Sequence, residues 1–246
     1  MLQKLIMRKL YIILILFFCF NFSDTYAQFK LDLYSGMSLN QVEQPALYRL
    51  GHSPYFENKN IFAFYNLDLN LNKRNEKAIN SLWLNFGYNF NIKEKPLKLS
   101  LFYMYKPVSH ILNSQNMGLI LNYSISKWEF SLGNNTNIYS YLKKAQNTFE
   151  ITENTRLINA LNMMYSIKYL FLNKDKTWNI YLNLSNFNNI LIDKEINPML
   201  NFGSFYKFQD KKIKIFMDLW YQQAGLCNIR VNYYGFLLNL GLTWEI

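Results

Sequence analysis

Residues 60–72 read NIFAFYNLDLNLN, and apolar and polar side chains alternate along them with little interruption. Ile61, Ala63, Tyr65, Leu67, Leu69 and Leu71 share one parity; Asn66, Asp68, Asn70 and Asn72 sit between them. Successive side chains of a strand point to opposite faces, so this segment is a strand with one greasy face and one face of amides and a carboxylate. In a soluble sandwich the greasy face would be the core. In a membrane barrel it would meet lipid, and the asparagines would line the interior. A single strand does not decide between the two, but the rest of the chain does.

The same alternation recurs in 80–92, where Leu82, Leu84, Phe86, Tyr88, Phe90 and Ile92 oppose Trp83, Asn85, Gly87, Asn89 and Asn91. It continues through 97–106, 117–126, 128–138, 157–172, 177–186, 197–208, 212–222 and 232–246, making ten segments with 60–72. They are mostly about 10–15 residues long, beyond the ~5–6 of soluble strands and in the range of membrane strands. Tyr and Trp gather near segment ends (Tyr103, Tyr105, Tyr139, Tyr141, Tyr206, Tyr221, Trp244), where rings sit at the level of lipid headgroups. Long connections (107–116, 139–156, 187–196, 223–231) alternate with short ones (93–96, around 127, 173–176, 209–211), matching external loops and periplasmic turns. The expected fold is all-β: a transmembrane antiparallel up-and-down β-barrel of ten strands, with twelve as the alternative.

The chain opens with basic Lys4, Arg8 and Lys9, an apolar run from Leu10 to Phe22, and small residues Thr25 and Ala27 before Gln28. That is the layout of a secretory signal peptide over 1–27. Its removal lowers the formal charge of +10 by two, because it carries three basic residues and Asp24. Cys227 is then the only cysteine, so no intrachain disulfide can form. Residues 28–59 are punctuated by Pro45, Gly51 and Pro54 and read as an N-terminal segment: periplasmic, lumen-filling, or one to two extra strands. The barrel proper is expected over 60–246.

The chain ends in NLGLTWEI, with Tyr234, Phe236, Leu238, Leu240, Leu242, Trp244 and Ile246 on one apolar face. With Asn239, Gly241, Trp244 and Ile246 in place, this terminus resembles the β-signal of bacterial outer-membrane proteins. It departs from that pattern in ending on Ile246 rather than an aromatic residue. The resemblance implies recognition by the barrel assembly machinery and residence in the Gram-negative outer membrane after leader removal. Composition and leader style are similar to those of Bacteroidota proteins. The secretion-linked PorP/SprF barrel type carries an Asn-Pro segment just after the leader. Here Asn197-Pro198 comes far too late for that.

Catalytic chemistry has little to stand on. The two histidines sit beside serines, as His52-Ser53 and Ser109-His110, and adjacent residues on a strand face opposite ways. No Cys/His cluster points to a metal, and no cofactor is expected. The polar face holds more information: Asp68, Trp83, Lys98, Phe102, Lys168, Lys214, Asp218 and Trp220 are its lumen-facing candidates. The reading favoured from sequence is a structural or interaction component of the envelope with a largely filled lumen. The alternative is a narrow channel for a small polar or anionic solute, and a lipid-acting enzyme trails. Expected partners are outer-membrane lipid and lipopolysaccharide, the assembly machinery and other envelope proteins. Nucleic acid is not among them, since the leader takes the chain out of the cytosol.

Overall fold

A computed structural model describes residues 27–40, 46–72, 78–92, 95–107, 112–141, 155–172, 177–187, 198–208, 211–224 and 233–245. Residues 1–26, Ser109, His110, Cys227 and Ile246 lie outside them. The described chain is a ring of twelve antiparallel strands: β1 (Ala27–Asn40), β2 (Leu47–Asn58), β3 (Ile61–Asn70), β4 (Ile79–Ile92), β5 (Lys95–Pro107) and β6 (Leu112–Ile125), then β7 (Trp128–Tyr141), β8 (Thr155–Leu172), β9 (Trp178–Ser185), β10 (Met199–Lys207), β11 (Ile213–Ala224) and β12 (Tyr233–Glu245). Each strand pairs with its neighbours in sequence, and β1 pairs with β12 to close the barrel.

The ten segments expected from alternation correspond to β3 through β12. The strand count of ten is corrected to twelve, because residues 28–59 form β1 and β2 rather than an appendage. The closing ladder runs from Lys30 opposite Glu245 to Asn40 opposite Gly235. In β1, Leu31, Leu33, Met37 and Leu39 face outward while Asp32, Tyr34, Gly36 and Ser38 face the lumen, an alternation as regular as that of β3. β2 keeps a continuous ladder with β1 across Pro54. Its partners on β3 skip from His52 to Tyr55, where Pro54 has no N–H to give. The proline is therefore accommodated inside a strand.

The barrel is inside-out by the standard of a soluble protein. Among the described residues, exposed large apolar side chains far outnumber buried ones, and buried polar side chains outnumber buried apolar ones. A water-soluble fold buries its greasy residues, so the outer belt, including Leu101, Leu132, Leu200 and Leu240, is a lipid-facing surface. The opening strand follows suit, with Ile61 exposed and Phe62 and Asp68 buried.

Connections divide by length between the two mouths. Lys59-Asn60 and Ser126-Lys127 are two-residue turns at the mouth that also holds both ends of the barrel chain. Lys59 and Ser126 take positive φ (49° and 55°) there, in the left-handed region that such tight turns require. The opposite mouth carries the longer connections, including 142–154 and 225–232. A bulge shapes the wall between β3 and β4: Asp68 pairs with Ser81 but Leu69 with Ile79, leaving Asn80 as the extra residue, and the β7–β8 register also shifts beside Asn137. Asn80 and Ser81 consequently both line the interior.

A ten-stranded barrel would tolerate loss of residues 28–59, whereas a twelve-stranded one would not. The mature chain lacking 28–59 is expected to lose the compact, heat-modifiable species on gels that the full mature chain gives. Retention of that species would return the count to ten.

Candidate functional site in the barrel lumen

Two cross-strand rows organise the lumen wall. In the first, Tyr34 on β1 stands opposite Gly51 on β2, which stands opposite Asp68 on β3. In the second, Tyr181 on β9 stands opposite Gly203 on β10, which stands opposite Asp218 on β11. The glycine is the condition for both rows. A Cβ on Gly51 would lie 2.2 Å from Tyr34 Cζ, and one on Gly203 would lie 2.1 Å from Tyr181 Cζ. With hydrogen there instead, each ring lies across the middle strand and its hydroxyl reaches the carboxylate two strands away.

Tyr34 Oη donates to Asp68 Oδ1 at 2.6 Å, and Asn66 Oδ1 lies 2.9 Å from the same hydroxyl. Asp68 Oδ2 accepts from Arg49 Nη1 at 2.7 Å, and Arg49 Nη2 donates to Asn239 Oδ1 at 3.1 Å. Arg49 and Asp68 are 7% and 5% exposed, so this is a buried ion pair with its remaining valences largely met by neighbours. In the second row Tyr181 donates to Asp218. Lys168 Nζ stands 4.5 Å from the centre of the Tyr181 ring.

A layer of ion pairs lies nearer the short-turn mouth. Lys98 Nζ is 3.7 Å from Glu57, Lys168 Nζ 3.2 Å from Glu129, and Lys207 Nζ 3.0 Å from Glu245. Three lysines also lie over rings: Lys98 over Phe62, Lys214 over Phe205 and Lys30 over Tyr55. Thr243 donates to Asp32 at 2.5 Å beside them.

Between this layer and the long-loop mouth runs a cavity of about 670 Å³. Ser38, Lys106 and Tyr139 line it towards the loops; Lys98, Asn122 and Ser166 line it towards the turns. Asn and Ser dominate its walls. The Trp83 and Phe102 rings are tilted at 40° with centroids 5.7 Å apart, and they pack with Ile120 and Met164 on one wall. Trp220, on β11, comes from the opposite side of the ring. The large aromatics thus cover walls and leave space between them.

Each lumen-facing candidate from the sequence therefore has a place. Asp68, Trp83, Lys98, Asp218 and Trp220 line the cavity, Phe102 is buried in its wall, and Lys168 and Lys214 belong to the layer beneath it. Of the terminal motif, Asn239 accepts from Arg49, Gly241 lies against the Phe216 ring and Tyr34 Cβ, and Trp244 is exposed on the lipid face. His52 and Ser53 separate as expected of strand neighbours: His52 Nε2 is 3.1 Å from Tyr65 Oη on the outer face, and Ser53 lines the cavity. Sequence reasoning missed Tyr34, Arg49 and Gly51. Their signal was the alternation of Lys30 to Leu39 and Leu47 to Glu57, which Ser35, Gly51 and Pro54 obscured.

No protein-family model and no curated protein matches the chain. Among solved structures it is similar to the NanC porin, at a TM-score of 0.53 and 10% identity over 88% of this chain and 100% of that one. It is also similar to an outer-membrane channel from Pseudomonas putida F1, at a TM-score of 0.52 and 10% identity over 91% of this chain and 97% of that one. At such identities the likeness is one of fold, and the fold is the closed up-and-down barrel of outer-membrane porins and channels.

Removing one member of a buried ion pair leaves its partner uncompensated. Asp68→Ala is expected to destabilise the barrel by about 3–5 kcal/mol, while the double replacement Arg49→Met with Asp68→Leu costs much less. Urea midpoints, read from the folded band on gels, check both. Equal losses would mean that the pair carries little of the cost.

Proposed function

We propose that the chain is an outer-membrane channel passing a small polar solute. The observation that carries this reading is the cavity of about 670 Å³, in which Asn and Ser are the commonest lining residues and which extends along the lumen to Ser38, Lys106 and Tyr139. Twelve strands enclose a wider lumen than ten, since barrel diameter grows with strand number. The bulky side chains of the lumen therefore leave a cavity rather than filling it. The leader over 1–27 would export the chain, and Asn239, Gly241, Trp244 and Ile246 would present its last strand for assembly. The long loops then face the outside and the two-residue turns face the periplasm.

The ion-pair layer favours a second reading: a barrel closed at its periplasmic end that serves as a scaffold for other envelope proteins. Glu57–Lys98 and Glu129–Lys168 span neighbouring or nearby strands of the wall rather than the lumen's full width. They narrow the exit, and the channel reading treats them as its filter.

Single-channel recording on the mature protein in planar bilayers separates these readings. The channel reading expects discrete, reproducible openings. It also expects that Glu57→Gln with Glu129→Gln, which frees Lys98 and Lys168 from their partners, shifts the reversal potential in a KCl gradient towards anion preference. A folded, heat-modifiable barrel without conductance would favour the scaffold.

A further inference from the structure

Resting on the channel reading, we infer that its solute is an uncharged, polyhydroxylated molecule of sugar size, bound at the β4–β7 wall by Trp83, Asn85, Ser100 and Asn135. Charge is the first argument. The cavity is lined by three cations (Arg49, Lys98, Lys106) and three anions (Asp32, Asp68, Asp218), so it has no formal preference for either sign. Arg49 is tied to Asp68 and Lys98 to Glu57, while Asp218 and Asp32 accept from Tyr181 and Thr243. A charged solute would have to compete with these existing partners.

The second argument is the pattern of polar atoms in the β4–β7 wall. Asn85, Phe102, Gly118 and Asn135 form one row from β4 to β7, with Trp83 and Ser100 one step to either side. Asn85, Ser100 and Asn135 are 8%, 2% and 7% exposed, yet Asn85 Oδ1, Ser100 Oγ and Asn135 Oδ1 have no hydrogen-bond partner, and neither has Trp83 Nε1. The Asn135 amide nitrogen is engaged: it donates to Asn116 Oδ1, whose own nitrogen donates to Ser114. What remains is a mixed set: two amide acceptors, one indole donor and one hydroxyl that does both. Leaving such groups unmade is costly, so they favour a ligand that can satisfy them.

That set discriminates by chemistry. A carboxylate can accept from Trp83 but has no proton for the two amide oxygens, and an ammonium can donate to them but cannot accept from Trp83. A hydroxyl does both. Neighbouring hydroxyls on a ring or chain answer alternating donors and acceptors, while the Trp83 ring, backed by the buried Phe102, offers apolar surface to C–H groups. The cavity volume is that of an ordinary small-molecule site.

The test uses the mature chain in liposomes and three solutes on one six-carbon skeleton: glucose, gluconate and glucosamine. Osmotic swelling should be fastest with glucose. In planar bilayers glucose should also transiently block the KCl current, with a half-blocking concentration that rises about tenfold in Asn85→Leu with Asn135→Leu. Ser100→Ala, a smaller change, should shift it less while heat-modifiable mobility stays intact. Absence of any KCl conductance in a folded barrel would defeat the channel reading and this inference together. Normal conductance with gluconate or glucosamine entering as fast as glucose, or a glucose block indifferent to the variants, would overturn the inference and leave the channel standing.

Discussion

Closure of β1 onto β12 is the constraint on which the rest of the barrel depends. Within a hydrocarbon layer no water meets an unpaired N–H or C=O, so a sheet that crosses it must have no edge. A ring opened between β12 and β1 would present two. The ladder from Lys30–Glu245 to Asn40–Gly235 removes both, and it joins the first and last strands of the chain's ring. Such a contact forms late in sequence terms and gains little from local structure. Its register must be set by side chains, since a slip of one residue would turn Leu238, Leu240 and Leu242 inward and Thr243 outward. Leucines outside and Gly241 under the Phe216 ring inside both hold that register.

The lumen solves a different problem: how to bury polar side chains in a narrow, closed space. The two Tyr–Gly–Asp rows give one answer, used on two walls. A glycine frees the space above a strand, a tyrosine fills it with apolar ring surface, and the hydroxyl finishes on a carboxylate. Arg49 then anchors the first row, and Asn239 of β12 accepts from its Nη2, so the site is stitched across the closing seam. Wall packing and barrel closure are thus the same contacts seen from two directions.

Much of this was legible in the sequence, and the missing parts have physical reasons. The period-two signal located β3 to β12 and assigned Asp68, Lys98, Phe102 and Trp220 to the inner face, because alternation is a local property. β1 and β2 stayed only an alternative reading of 28–59, because Gly51 and Pro54 in β2 ordinarily mark loops and β1 alone would have made an odd count. Only the structure reveals that Gly51 lies under Tyr34 and that Pro54 falls where the β3 ladder is interrupted. The rows themselves could not be read, since Tyr34, Gly51 and Asp68 are linked by register rather than by spacing. The same holds for Trp83 and Phe102, which looked like a plug as a list of large residues. Placed on adjacent strands, they pack against a wall.

The charge distribution follows from the same separation of inside and outside. The chain carries a formal charge of +10. Yet the described lumen holds seven basic side chains (Lys30, Arg49, Lys98, Lys106, Lys168, Lys207, Lys214) against six acidic ones (Asp32, Glu57, Asp68, Glu129, Asp218, Glu245). The surplus among the described residues sits on the rim: Lys59, Lys95, Lys127, Lys211 and Lys212 are all exposed, all at the short-turn mouth. Charges there remain hydrated and screened within about 8 Å at physiological salt. Those in the lumen sit among low-dielectric walls, where an unmatched charge would dominate the field along the axis. The positive surplus of the described residues therefore belongs to the rim, and the field inside the lumen is set by pairing there.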